Sequence, residues 1–222
     1  MEKYTSLSYR LAFVGISIFF LSMALAGAGY ALSRPVQLHE AIICSLASPR
    51  DNPHWYPVAG IGTLLCGVML FPLALVFYGQ LKFVQHTVAM AGLAVFAIGV
   101  SGGVTLCISA PFIKFHHSIH AAIAYTTFAA LAAGISLWMA LTAYGWWGLH
   151  PGLARALALG ASGNALIAAA LCVLWFHKNF FTDGPWYRTV AAWEWTLTAY
   201  NAICLLALVL AVRSLQKHYA TD

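Results

Sequence analysis

Six stretches of this sequence run for more than 20 residues with at most one Asp, Glu, Lys or Arg in each. They cover about residues 10–32, 57–80, 86–110, 117–144, 153–176 and 189–212. A bilayer's hydrocarbon core is about 30 Å thick, and an α-helix crosses it in about 20 residues. Backbone N–H and C=O groups in lipid must find partners within their own segment, so such runs become helices. A membrane β-barrel would show short alternating segments instead, and none are visible. Charged residues make up 8% of the chain, against about 25% in an ordinary soluble domain. The fold class is therefore all-α: a polytopic six-transmembrane-helix bundle, one domain over residues 1–222, with one longer extracytoplasmic loop.

The first run follows Lys3 and Arg10 but is too long for a signal-peptide core, so it reads as a spanning helix. With six spans both termini share one side, together with Lys3, Arg10, Lys82, Arg155, Arg213 and Lys217. Arg34, Arg50, Lys114, Lys178 and Arg188 fall opposite, and this slight bias sets the termini in the cytoplasm. The net charge of +5 is scattered over helix ends, which suits anionic lipid headgroups and excludes a nucleic-acid patch. Cys66, Cys107, Cys172 and Cys204 fall within helices and Cys44 in a loop; their spacing reads as apolar packing.

Polar chemistry gathers on the side away from the termini. His39, His54, His116, His117, His120 and His177 lie there, with Glu40, Asp51, Asp183 and Glu194. Glu194 sits inside the last run, about 9 Å deep at 1.5 Å per residue. An acid at that depth is costly unless neutralised, paired or hydrated, and such residues often mark function. Thr198 and Asn201 follow on the same helix face. His120 reaches a similar depth from the fourth span, with His116 and His117 four and three residues before it. Ser101, Thr105 and Ser109 stripe the third span, and Ser162 and Asn164 mark the fifth. The sum predicts an outward-opening cavity lined by His and Glu, although such hydroxyls and amides often only bridge helices.

Other features read as architecture. Gly99-x-x-x-Gly103 marks a close helix contact, Pro72 a kink, and Trp146-Trp147 an interfacial anchor. In the first loop Pro49, Asn52, Pro53 and Pro57 set turns, while His54, Trp55 and Tyr56 suit the headgroup belt.

Three motifs carry a resemblance: SPRDNPHWYPVAGIGTLLCGVMLF through an Asn-Pro turn into the second span, IHAAIAYTTF opening the fourth, and AAWEWTLTAY in the last. In order and spacing they resemble the DRAM/FRAG-type six-transmembrane family and its related bacterial branch of unknown function. The likeness runs over nearly the whole chain. It implies a lipid connection, since eukaryotic members are linked with glycosylphosphatidylinositol remodelling, autophagy and plasma-membrane lipid organisation. By position it implies Asn52-Pro53, His120 and Glu194-Trp195 as the residues to test. Acidic residues that precede the Asn-Pro turn elsewhere in the family are replaced here by Cys44-Ser45-Leu46.

The leading expectation is a lipid-handling membrane protein, as a hydrolase or acyl-transfer enzyme, with His120 as base and Glu194 orienting it. Arg50, Asn52, His54, Thr198 and Asn201 are the candidate substrate-binding groups. His116, His117 and His120 are candidate ligands for a divalent metal such as zinc, although HHxxH lacks the acid of a helical HExxH site. The alternative is a non-catalytic scaffold or lipid-binding accessory subunit, with membrane lipids, a protein partner or a second copy as its company. A haem protein using His120 with His177 and a transporter rank behind both.

Overall fold

A computed structural model describes residues 2–33, 43–109, 118–176 and 190–219. Seven helices are present among them: α1 (Glu2–Ser33), α2 (Ile43–Leu46), α3 (Tyr56–Leu81), α4 (His86–Ser109), α5 (Ser118–Trp146), α6 (Pro151–Phe176) and α7 (Val190–Tyr219). All but α2 are long and apolar enough to cross a bilayer, as the sequence predicts. The protein is a multi-pass integral membrane protein built as a six-helix bundle.

Local chemistry explains where the helices begin. Pro57 sits in the first turn of α3, where a missing N–H costs nothing, and Pro151 opens α6 in the same way. At α4 the Gln85 side-chain oxygen accepts the Val88 N–H at 2.9 Å. Pro72 is carried inside α3, which stays helical from Tyr56 to Leu81. Helix α7 continues past residue 212 through Arg213 to Tyr219, beyond the apolar run, because polar side chains suit a helix emerging from lipid.

Sequential helices pack as neighbours, α1 on α3, α3 on α4, α4 on α5, α5 on α6. Helix α7 then returns to both α5 and α6, so α6 stands outside the inner group. Helices α1 and α7 approach each other at few points. Glycines set the tightest approaches, as small residues do where lipid offers helices no hydrophobic drive to associate. A Cβ at Gly99 of α4 would lie 2.7 Å from the Leu131 backbone nitrogen of α5, and one at Gly134 of α5 would lie 2.9 Å from that of Phe96.

Near the termini side, Trp138 is fully buried between Phe77 and Phe96, with ring centroids 5.2 and 5.1 Å away. Its indole N–H donates to the Ala89 carbonyl at 3.3 Å, tying α5 to α4. The Trp146-Trp147 pair divides. Trp147 is exposed, as an interfacial anchor should be, whereas Trp146 is buried and donates to the Ala211 carbonyl of α7 at 3.2 Å. The polar group of a buried indole needs a partner, and a main-chain carbonyl of the neighbouring helix supplies it. Leu21, Val68, Ile98, Leu159, Ile203 and their like face outward on the long helices, the surface a bilayer covers.

Candidate functional site

The outer end, meaning the end away from the termini, is closed by a small cap made of α2 and the turn through Asn52. Asn52 is buried at 1% exposure, and its amide donates to the Ala26 carbonyl at 3.3 Å and the Leu46 carbonyl at 3.1 Å. Its own carbonyl accepts the Tyr56 N–H at 2.9 Å, which starts α3. One residue thus ties α1, α2 and α3 together, the first two through its side chain and the third through its main chain. The Trp55 ring lies over Gly29 of α1, where any side chain would collide with it.

Glu194 meets the same cap from the other side. It is 3% exposed in the second turn of α7, and its Oε2 accepts the Ile43 N–H at 3.2 Å. That N–H opens α2, and the first amides of a helix have no partner within it. The carboxylate therefore completes a helix start and fastens the cap to α7. Ile43 packs with Met23, Ala26, Leu46 and Ala59, and Trp195 leans on this cluster. The sequence predicts Glu194 as the partner of His120; here the carboxylate takes its hydrogen bond from Ile43 instead.

Under the cap lies a cavity of about 170 Å³ bordered by α1, α2, α3, α4, α5 and α7. Helix α6 takes no part in it. Lining residues run from Ile16 to Met23 on α1, Thr63 to Leu70 on α3, Gly99 to Cys107 on α4 and Thr198 to Leu205 on α7. Each stretch rises about 10–12 Å at 1.5 Å per residue. His120, 6% exposed, borders it from the outermost turn of α5, and Ile135 borders its deep end. The walls are mostly aliphatic and aromatic, and the space comes from missing side chains. A Cβ at Gly103 would meet nothing closer than Thr127 Cγ2 at 3.8 Å.

Polar groups on the wall differ in what they have left to offer. Thr63 and Thr127 donate to the carbonyls of Ala59 and Ile123 on their own helices, at 2.9 and 2.8 Å. Thr198 and Asn201 on α7 are different: among the described residues the Thr198 hydroxyl and the Asn201 Oδ1, both buried, have no hydrogen-bond partner. Buried polar atoms in native proteins are nearly always bonded, to protein, water or ligand.

Of the candidate residues, His120, Thr198 and Asn201 share the cavity, whereas Glu194 and Asn52 belong to the cap that roofs it. Arg50 and His54 are exposed. His116 and His117 lie outside the described residues, as do His39, Glu40, His177 and Asp183. Among the described residues no three His, Cys, Asp or Glu side chains gather as a metal site would need. His86 bonds through Nε2 to the Tyr78 hydroxyl at 3.2 Å, at the end of the bundle away from His120.

Two expected stripes do not face the cavity. Ser101 and Thr105 are exposed, with Thr105 donating back to the Ser101 carbonyl at 2.8 Å. On α6, Ser162 is exposed and Asn164 bridges to α5, donating to the Ala132 carbonyl at 3.1 Å and Ser136 Oγ at 3.4 Å. Missed by sequence reasoning were α2, the Ile43 N–H, and the glycines as makers of space. Gly99-x-x-x-Gly103 was the available signal: Gly99 makes the close helix contact, and Gly103 opens the cavity.

Comparisons with known proteins matched no family model, no curated protein and no solved structure.

Proposed function

We propose that this protein binds a membrane lipid, holding an apolar chain in the cavity beneath its outer cap. The carrying observation is the cavity itself: about 170 Å³, walled mainly by residues such as Phe19, Phe20, Leu70, Phe128, Leu131 and Leu205. A dry apolar cavity of about 150 Å³ suffices to hold benzene, so this one takes a length of hydrocarbon chain. The lining stretches of α1, α3, α4 and α7 are shorter than one leaflet, half of a core about 30 Å thick, while that of α5, from His120 to Ile135, runs about 22 Å. Entry from the bilayer is placed by this reading between α1 and α7, which approach each other at few points.

Binding, rather than turnover, is the better-supported form of lipid handling. A hydrolase or acyl-transfer mechanism asks a carboxylate to orient the His120 imidazole, and the hydrogen bond that Glu194 makes among the described residues comes to its Oε2 from the Ile43 N–H. The resemblance to the DRAM/FRAG-type family leads to the same lipid-handling class.

The test is lipid retention. The protein is purified in mild detergent and its co-extracted lipid measured by mass spectrometry beside Gly103→Leu, which fills the cavity, and Gly79→Leu, which stands in open space. Gly103→Leu is expected to lose most of the stoichiometric lipid and Gly79→Leu to keep it; Ala202→Leu is the second filling variant. Equal lipid in all four proteins would sink the reading. Turnover of a lipid ester that vanishes in His120→Ala would replace it with an enzymatic one.

A further inference from the structure

The cavity's polar content narrows the ligand class. Among the described lining residues there is no Asp, Glu, Lys or Arg. A phosphate, ammonium or carboxylate brought below His120, the one imidazole among the described lining residues, would meet no counter-charge, and burying an unpaired ion costs far more than a lipid's chain returns. The part of the ligand that enters the bundle is therefore uncharged.

It is not pure hydrocarbon either. Thr198 and Asn201 stand eight and eleven residues into α7 from Val190, about 12 and 16 Å along the helix. Both border the cavity, Asn201 at only 7% exposure. The Thr198 hydroxyl and Asn201 carbonyl oxygen are without hydrogen-bond partners among the described residues, as are the Asn52 and Asn164 side-chain oxygens, but only the α7 pair belongs to residues that line the cavity. Thr127 on the facing wall shows the alternative, a hydroxyl already committed to its own backbone. An amide offers two acceptor and two donor positions and turns to present either, while a threonine hydroxyl donates once and accepts. Both atoms are buried in the wall, so a side-chain rotation must first turn them toward the cavity; one ligand hydroxyl then complements the pair, donating to the Asn201 oxygen and accepting from Thr198.

We infer that the ligand is an uncharged lipid bearing a hydroxyl group, bound with that hydroxyl inside the bundle at Asn201 and Thr198. The inference rests on the lipid-binding reading above and specifies its ligand. It orders lipids by chemistry: long-chain alcohols, diacylglycerols and other hydroxylated neutral lipids bind, and alkenes of equal length bind less well. A phospholipid whose only polar group is its charged head cannot satisfy the pair without dragging that head into the cavity.

The probes are oleyl alcohol and 1-octadecene, chains of the same length with and without the hydroxyl, titrated into the detergent-purified protein. Thermal unfolding reports binding. The alcohol is expected to bind roughly tenfold more tightly, the worth of one or two net hydrogen bonds. Asn201→Leu is expected to erase that preference while leaving the response to octadecene. Thr198→Val serves the same purpose if Asn201→Leu does not fold. Equal binding of the two probes by the unaltered protein would overturn the inference and leave the chain-binding cavity standing. So would a preference that survives in the variant. An alcohol response undiminished in Gly103→Leu would mean partition into the micelle, and it would remove the cavity reading as well.

Discussion

Glu194 shows how a sequence can mark a residue without naming the group it bonds. An acid six residues into an apolar run announces that something compensates it, and the compensation is real: a buried hydrogen bond to Ile43 N–H. The partner escaped because it is a main-chain group in a stretch with no periodicity to read. A clamp and a catalytic acid predict different mutants. Glu194→Gln keeps an oxygen for the amide and should unfold close to the unaltered protein. Glu194→Leu strands the buried N–H and should cost about 1–3 kcal/mol, read as a lower melting temperature in detergent. A Gln variant that folds normally yet abolishes a lipid reaction would return Glu194 to the chemistry. Asn52 was likewise legible as a turn residue. Its role as a three-helix tie was not, because its carbonyl partners at Ala26 and Leu46 exist at every position of a chain.

Among the elements, the long helices were the most legible part of the molecule, since bilayer thickness dictates their length and lipid forbids the alternatives. Helix α2 was illegible: Ile43–Leu46 is too short for a period, and Glu194 of α7 and Asn52 hold its two ends. The helix contacts fall between these cases. Small residues advertise close approach without saying which of them touches, and the glycines of α3 and α4 divide accordingly. Gly99→Ala should destabilise the bundle by about 1–3 kcal/mol, since the new methyl meets the Leu131 backbone and not a side chain that can swing away. Gly79→Ala has open space and should be neutral or stabilising by up to about 1 kcal/mol, from helix propensity alone. Melting temperatures of the two variants in one detergent decide the matter; a Gly99→Ala protein as stable as its parent would mean α4 and α5 are not so close.

For the molecule as a whole, the two ends are built differently. The termini end is closed by packing: Trp138, Phe77, Phe96 and Trp146 fill it with rings, and indole N–H groups join α5 to α4 and α7. The opposite end is closed by a cap over a hollow. The excess of His and acid on that side was plain from the sequence, but whether those groups met was not, because helix rotation decides it and near-uniform hydropathy leaves rotation unmarked. Orientation in the membrane is a separate proposal, with the termini cytoplasmic. In a cysteine-free background, His54→Cys should react with a membrane-impermeant maleimide in intact cells, and Ser214→Cys, exposed near the other end, only after lysis. The reverse pattern would invert the protein.

The bond from Glu194 to a main-chain amide also bears on how this protein changes over evolutionary time. Residue 43 presents the same N–H whatever its side chain, short of proline, so nothing at 43 must vary in step with 194. Methods that infer proximity from correlated substitutions will see no signal between them, however firmly the two are joined.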